Sequence, residues 1–177
     1  MGRIISNFFI ALDGVVEKPE TWHMPYFNDE MGAIIGSGMQ TNKAFLMGRK
    51  LYEEWSAHWT ASTDEIADYF NTIPKYVVSS SLRDPAWNNT TVVPGDPEAV
   101  RAVKDGVDGD IAMSGSATTA RWLLAHGLLD ELRLLLHPIA AGEGQKLFEG
   151  NATHKLELAD CTTLSTGVLN LAYRPVS

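Results

Sequence analysis

Short apolar runs alternate with helical stretches through most of this chain, and that order limits its folds more than any other feature of the sequence. Arg3–Leu12 is apolar and rich in Ile and Phe, as a strand covered on both faces requires. Asp13-Gly14 breaks it, and a loop runs through Pro19 and Pro25. Asn28 or Asp29 stands where a helix cap belongs, and the helix runs to about Asn42, weakened by Gly32, Gly36 and Gly38. Ala44–Met47 is a short strand that Gly48 turns directly into a helix over Arg49–Trp55. Thr63 caps a further helical stretch with Ile66, Tyr69 and Phe70 as its apolar face. Lys75–Ser79 and Thr90–Val93 follow as strands, then a helix over Asp96–Lys104 with Pro97 in its first turn. Ile111–Ser114 is a strand that enters a helix after Gly115, closed by Gly127. Glu131–His137 is the next strand, and Lys155–Thr163 with Val168–Arg174 forms a hairpin turned at Ser165–Gly167. This pattern predicts a three-layer α/β domain spanning residues 1–177, with a mostly parallel sheet and an antiparallel edge.

Composition removes several function classes. Five Trp, six Phe and five Tyr in 177 residues are too many large apolar groups for a solvated, disordered chain. No stretch approaches the ~20 apolar residues of a membrane span. The start, MGRIISNFF, reads as a strand rather than a charged-then-apolar leader, so a cytoplasmic protein is expected. The 14 basic residues are outnumbered by 22 acidic ones, and without a basic stripe nucleic acid is not the expected partner. A small phosphorylated ligand needs only one or two local cations and stays open. The one cysteine, Cys161, excludes an internal disulfide; its neighbours Leu158, Ala159 and Leu164 predict a buried strand thiol. The five His show no close ligand spacing, and no metal site is expected.

Parallel sheets bind ligands at the carboxyl ends of their strands, and three such ends share one chemistry. Ala44–Met47 is followed by Gly48-Arg49-Lys50, Lys75–Val78 by Ser79-Ser80-Ser81, and Ile111–Met113 by Ser114-Gly115-Ser116-Ala117. Glycine lets the backbone approach a ligand closely. A helix N-terminus offers free N–H groups and a partial positive charge. Arg49 and Lys50 add full charge, and the serines add hydroxyl donors. Singly, each is an ordinary turn; together they suit a ligand with two or three phosphates, such as a dinucleotide. Neither G-x-G-x-x-G after the first strand nor G-x-x-x-x-G-K-[ST] is present, so the ordinary Rossmann and P-loop fingerprints are excluded.

Six segments then carry a family resemblance: I-A-L-D-G at 10–14, F-L-M-G-R-K-L-Y-E at 45–53, K-Y-V-V-S-S-S-L at 75–82, D-I-A-M-S-G-S-A at 110–117, G-L-L-D-E-L-R-L-L-L-H-P at 127–138 and G-E-G-Q-K-L-F at 142–148. In that order they resemble the dihydrofolate reductase superfamily, and most closely the C-terminal reductase domain of the riboflavin-biosynthesis deaminase–reductase. The resemblance implies an eight-stranded mixed sheet flanked by helices, NADPH as cofactor, and reduction of a small heterocyclic or sugar-derived substrate. It implies Gly48, Arg49 and Lys50 at the cofactor phosphates, and Ser79, Ser80 and Ser81 near the adenosine ribose and its 2′-phosphate. It puts Gly115, Ser116 and Ala117 at the pyrophosphate, and Ala11, Leu12 and Gly14 along the nicotinamide. The chain departs from the family pattern at Leu51, where Thr is frequent, and at Ser80 and Ser81, where Arg and Thr are frequent.

The substrate side is less explicit. Asp13 is either a catalytic group beside the nicotinamide or the partner of Gly14 in a turn. Trp22, His23 and Tyr26 stand where a cleft would be lined. Asp29 and Glu30 serve either as a pterin-binding acid, which folate reduction requires, or as helix-cap and dipole partners. Folate reduction and a nucleotide-binding dimer without catalysis remain alternatives to reduction of another substrate. Alternation over Glu131–His137 puts Leu132, Leu134 and Leu136 on one side and Arg133, Leu135 and His137 on the other. With the apolar segment Pro138–Ala141, this leaves apolar surface that predicts a homodimer.

Overall fold

A computed structural model describes residues 1–150 and 152–176. The chain builds one eight-stranded sheet from β1 (Arg3–Ala11), β2 (Asn42–Gly48), β3 (Lys75–Val78), β4 (Thr90–Val93), β5 (Asp110–Met113), β6 (Glu131–His137), β7 (Leu156–Thr163) and β8 (Leu169–Pro175). Its order is β4-β3-β2-β5-β1-β6-β8-β7. The first six of these neighbours run parallel, and β8 and β7 close the sheet antiparallel. This is the mixed, mostly parallel sheet that the sequence predicts.

Among the described residues five α-helices cover it: α1 (Asp29–Thr41), α2 (Arg49–Ala61), α3 (Ala67–Thr72), α4 (Pro97–Gly106) and α5 (Ala117–Ala125). Ile4, Phe8 and Ile10 of β1 pack with Val100 of α4 and Ala120 and Leu123 of α5. Successive strand side chains point to opposite faces, so the other face belongs to α1, α2 and α3. There Phe45, Met47 and Ala112 meet Tyr52 and Phe70, and Leu135 meets Met31. Met31 is the one fully buried residue of α1, an anchor of about 1.5–3 kcal/mol. Nothing stands within 4 Å of a Cβ built at Gly36 or Gly38, so neither glycine is there for lack of room. The Asn28 side chain caps α1 by accepting from the Met31 N–H at 3.0 Å.

Two buried cations tie elements together. Lys104 at the end of α4 donates to the Leu128 carbonyl at 3.1 Å and pairs with Asp130 at 2.6 Å. The same Asp130 oxygen accepts from the Ile4 N–H at 2.7 Å, which fixes the entry to β6 beside β1. Lys75 is fully buried and donates to the Phe70 and Ile73 carbonyls, with its ammonium 4.5 Å from the Trp87 ring centre. Burial pushes it down to about 8.

Several expectations are corrected. Cys161 is exposed, because β7 is an edge strand whose residues after Leu156 all face solvent. Of the apolar neighbours that predict burial, Leu158 and Ala159 are themselves exposed, and only Leu164, beyond the strand, is buried. The second helix continues past Trp55 to Ala61, its last turns held by Trp55 and Trp59 against Phe70. The third helix starts at Ala67 with Ile66 at its cap position, so Thr63 caps nothing. Among the described residues no helix is long and apolar enough to cross a membrane.

Candidate active site

The carboxyl ends of the parallel strands form one row: Val93, Val78, Gly48, Met113, Ala11 and His137, in sheet order. Adjacent ends lie roughly 4.8 Å apart. The three turns with phosphate-binding chemistry therefore stand side by side on β3, β2 and β5, with the end of β1 next.

At the end of β2, Gly48 is the N-cap of α2 and offers no side chain to the first-turn N–H groups. A Cβ there would stand 2.8 Å from the Thr119 hydroxyl of α5, so any other residue would force Thr119 or the backbone to shift. Arg49 and Lys50 open α2 and are exposed. The Arg49 guanidinium pairs with Glu53 at 2.6 Å, one turn on, with both side chains about half exposed (49% and 51%). Such a surface pair is worth only about 0.2–1 kcal/mol, and an anion of higher charge can displace it.

At the end of β3, the Ser79 hydroxyl accepts from the N–H groups of Ser81 at 3.1 Å and Leu82 at 2.9 Å, which folds the triple serine into a tight turn. Ser80 and Ser81 stay exposed. Arg83 belongs to no motif in the sequence, yet its guanidinium lies on this turn, donating to the carbonyls of Ser80 at 3.2 Å and Leu82 at 3.0 Å. At the end of β5, Gly115 has φ 117°, in the left-handed region that favours glycine. Ser116 caps α5, accepting from the Thr119 N–H, and Ala117 is buried in the first turn.

Ala11 ends β1 almost fully buried, while Leu12 is exposed. Gly14 sits at φ 87° in the turn that follows. The Asp13 carboxylate accepts from the N–H groups of Gly142 at 2.7 Å and Ala141 at 3.2 Å, and so joins this turn to the loop after β6. The Gly142 N–H above all holds Asp13 below the usual carboxylate range. Glu17 extends the same seam by accepting from the Gln145 N–H at 2.9 Å.

Trp22, His23 and Tyr26 converge on the ends of β1 and β6. They lie in the loop after β1, which carries two single 3₁₀ turns, Pro19–Thr21 and Met24–Tyr26. Glu30 does not join them. Its carboxylate accepts from the Ser165 hydroxyl at 2.6 Å, the Ser165 N–H at 2.8 Å and the Asn28 amide at 3.0 Å, stapling the start of α1 to the β7–β8 turn. The Ser165 hydroxyl above all lowers its pKa.

The group at the centre of the aromatic residues is one that the His spacing does not reveal. His137 has no solvent exposure. Its ring centre lies 5.3 Å from Trp22, 5.6 Å from Tyr26, 5.8 Å from Phe9 and 5.9 Å from His23. His23 stacks on Phe9 at 4.4 Å. His137 Nδ1 lies 2.7 Å from the Leu135 carbonyl. A carbonyl only accepts, so Nδ1 carries the proton, and Nε2 of the neutral ring holds a lone pair. That Nε2 and Nδ1 of His23 are both buried without a partner, a situation that costs about 1–3 kcal/mol per group. Burial pushes the pKa of both rings down; for His23 the neighbouring His137 adds to this, and for His137 the Leu135 and Ile10 carbonyls oppose it. The sequence signal for His137 is its place two residues after Leu135, on the same strand face.

The chain is 27% identical over 180 residues to the uncharacterized protein YyaP of Bacillus subtilis (strain 168), covering 97% of this chain and 94% of that one. Its fold matches a protein from Shewanella sp. PV-4 whose name places it provisionally in riboflavin biosynthesis, with a TM-score of 0.75, 15% identity and 99% of both chains covered. It also matches a dihydrofolate reductase from Enterococcus faecalis complexed with NADP(H), with a TM-score of 0.65, 13% identity, and 99% and 98% of the two chains covered. These structural likenesses establish the dihydrofolate reductase-like fold. The model of the RibD C-terminal domain matches residues 3–170, and the chain belongs to that family.

Proposed function

We propose that this protein is an NADPH-dependent reductase of a small heterocyclic or sugar-derived substrate, of the type of 5-amino-6-(5-phosphoribosylamino)uracil. The observation that carries this reading is the row of adjacent ends on β3, β2, β5 and β1. NADPH, when bound, supplies the hydride. The residues present fit it: Gly48 leaves no Cβ between the ends of β2 and α5, and the starts of α2 and α5 present free N–H groups on either side. Arg49, Lys50, Gly115, Ser116 and Ala117 hold the phosphates. Ser79, Ser80 and Ser81 frame the 2′-phosphate, with Arg83 replacing the cation that the family more often carries inside the serine turn. Ala11, Leu12 and Gly14 border the nicotinamide, and Asp13 fixes the turn they form. Trp22, His23 and Tyr26 face the substrate.

The chain acts as a single reductase-like domain and pairs as a homodimer. Support for the dimer comes from β7, an edge strand exposed along nearly its whole length with Leu158 uncovered. An exposed lone thiol, Cys161, suits a reducing compartment, in keeping with a cytoplasmic enzyme.

The test is titration with NADPH and NADH, read by cofactor fluorescence, followed by absorbance-monitored NADPH oxidation with 5-amino-6-(5-phosphoribosylamino)uracil. Tighter NADPH binding and steady oxidation are expected. Dihydrofolate is expected to be a poor substrate, because Glu30 is engaged by Ser165 and Asn28. Absence of NADPH binding overturns the proposal. A light-scattering mass near 19.4 kDa overturns the dimer.

A further inference from the structure

Reduction of a carbonyl or imine needs a proton as well as a hydride, and the two carboxylates that the sequence offers on the substrate side are poorly placed to give one. Asp13 is held ionised by the Gly142 and Ala141 N–H groups, and Glu30 by Ser165 and Asn28. The titratable groups with unpartnered nitrogens at this end of the sheet are His137 and His23.

We propose that His137 donates this proton through Nε2, with His23 as the positioning residue that links it to solvent; the proposal rests on the reductase function inferred above. Three observations converge on it. His137 pairs with Ala11, so it ends the strand next to the one that borders the nicotinamide. Its Nδ1 is committed to the Leu135 carbonyl, which fixes the ring and leaves Nε2 as the exchangeable site. Nε2 and His23 Nδ1 are both buried without a partner. The cover over them is the loop carrying Trp22 and His23, so a ligand reaches Nε2 by moving loop side chains and leaves the sheet intact.

The step balances with the groups named. The imine or carbonyl carbon takes the hydride, the π pair moves onto nitrogen or oxygen, and that atom takes the proton from Nε2 of the imidazolium. Neutral His137 then recovers a proton from solvent through His23. The charged and titratable groups around the pair are few: each ring for the other, the Tyr26 phenol, and Glu20, whose charge acts on His23. β1 presents Phe9 and Ala11, which carry no charge. Burial lowers both rings below the ordinary range, so turnover rises as pH falls below 6.5.

The experiment uses the full chain with ¹⁵N-labelled histidine, its ring signals assigned with His137→Asn and His23→Gln. The free protein is expected to show His137 with Nδ1 protonated and Nε2 bare. In the complex with NADP⁺ and 5-amino-6-(5-phosphoribosylamino)uracil, where no hydride is available, the Nε2 signal is expected to move. His137→Asn keeps a donor for the Leu135 carbonyl but has no titratable nitrogen. It is expected to lose on the order of 10²–10⁴-fold in kcat/KM and the low-pH rise, with NADPH affinity unchanged. His23→Gln is expected to lower kcat and leave KM nearly unchanged. An Nε2 signal that stays still in the complex, or a wild-type pH profile in His137→Asn, overturns the proton-donor role and leaves the reductase function standing. A wild-type protein that binds no NADPH, or binds it without oxidation by this compound, takes down the function and the proton donor together.

Discussion

The two ends of the strand row are built from opposite materials. On β3, β2 and β5 the ends are exposed turns of glycine, serine and arginine whose polar groups are held by neighbours a few residues away: Ser79 by Ser81 and Leu82, Arg49 by Glu53, Ser116 by Thr119. On β1 and β6 the centre is a buried imidazole inside an aromatic shell, assembled from Phe9, Trp22, His23, Tyr26 and His137. One end has the exposed donors and loosely held cations that suit a charged ligand. The other keeps unpartnered nitrogens away from water, where a proton transfer is shielded and each ring's charge is suppressed by burial. In the proposed function, phosphate anchoring and proton delivery would each have their own environment along one end of the sheet.

The largest effect that bears on this contrast is expected at Gly48. Gly48→Ala forces a Cβ against the Thr119 hydroxyl, an overpacking that costs typically about 1–3 kcal/mol and moves the starts of α2 and α5 apart. NADPH affinity and the urea midpoint should fall together, and Thr119→Ala in the same chain should restore most of both. A double variant no better than Gly48→Ala would show that the close approach of β2 to α5 is not what the glycine serves.

Arg49→Ala tests the exposed end by charge alone. A guanidinium on a phosphate makes charge-assisted bonds worth about 1.5–3 kcal/mol, so NADPH binding should weaken roughly tenfold to a hundredfold. NADH binding should weaken less, with the circular dichroism spectrum unchanged. Equal losses for the two cofactors would move Arg49 to the pyrophosphate and leave the 2′-phosphate to Arg83.

The buried end should respond to acid. Both rings have folded-state pKa values below the ordinary 6.5. The unfolded chain therefore binds more protons as pH falls below 6.5, and stability falls with it until pH drops below the folded-state values. Urea midpoints measured between pH 7.5 and 5 should show this loss in the wild type and a smaller one in His137→Asn. A wild type and variant with parallel profiles would show that these rings ionise as freely in the fold as outside it.

The smallest effect is expected where the two ends meet. Asp13→Asn keeps the shape of the turn but loses the charge that accepts from Gly142 and Ala141. Amide exchange at Ala141 and Gly142 should speed up, while turnover falls only modestly. Complete loss of turnover with unchanged exchange would make Asp13 a catalytic group after all.

The exposed end was legible in the sequence because its chemistry is local. A strand that stops at glycine or serine declares its turn within four residues, and Gly48-Arg49-Lys50, Ser79-Ser80-Ser81 and Gly115-Ser116-Ala117 could be read as they stand. The succession of strands and helices along the chain was legible for the same reason, since the apolar runs and their punctuation are short-range. Leu158, Ala159 and Leu164 give Cys161 the composition of a buried strand, and only the sheet order shows that β7 has no neighbour on its far side. An arginine in a loop carries no spacing, so nothing in the sequence marks Arg83; its fold back onto the Ser80 carbonyl puts it on the serine turn of the proposed site.

By itself, then, the sequence determined the alternation of strands and helices, the hairpin at the end of the chain and the turns that suit phosphate, all set by interactions between residues close along the chain. Only the tertiary structure decided that Glu30 is spent on Ser165, that Asp13 ties the loop at Gly142, and that His23 meets His137. These contacts join residues more than a hundred positions apart. Their partners are chosen by how the sheet stacks its strands, and no pattern of neighbours in the chain encodes that choice.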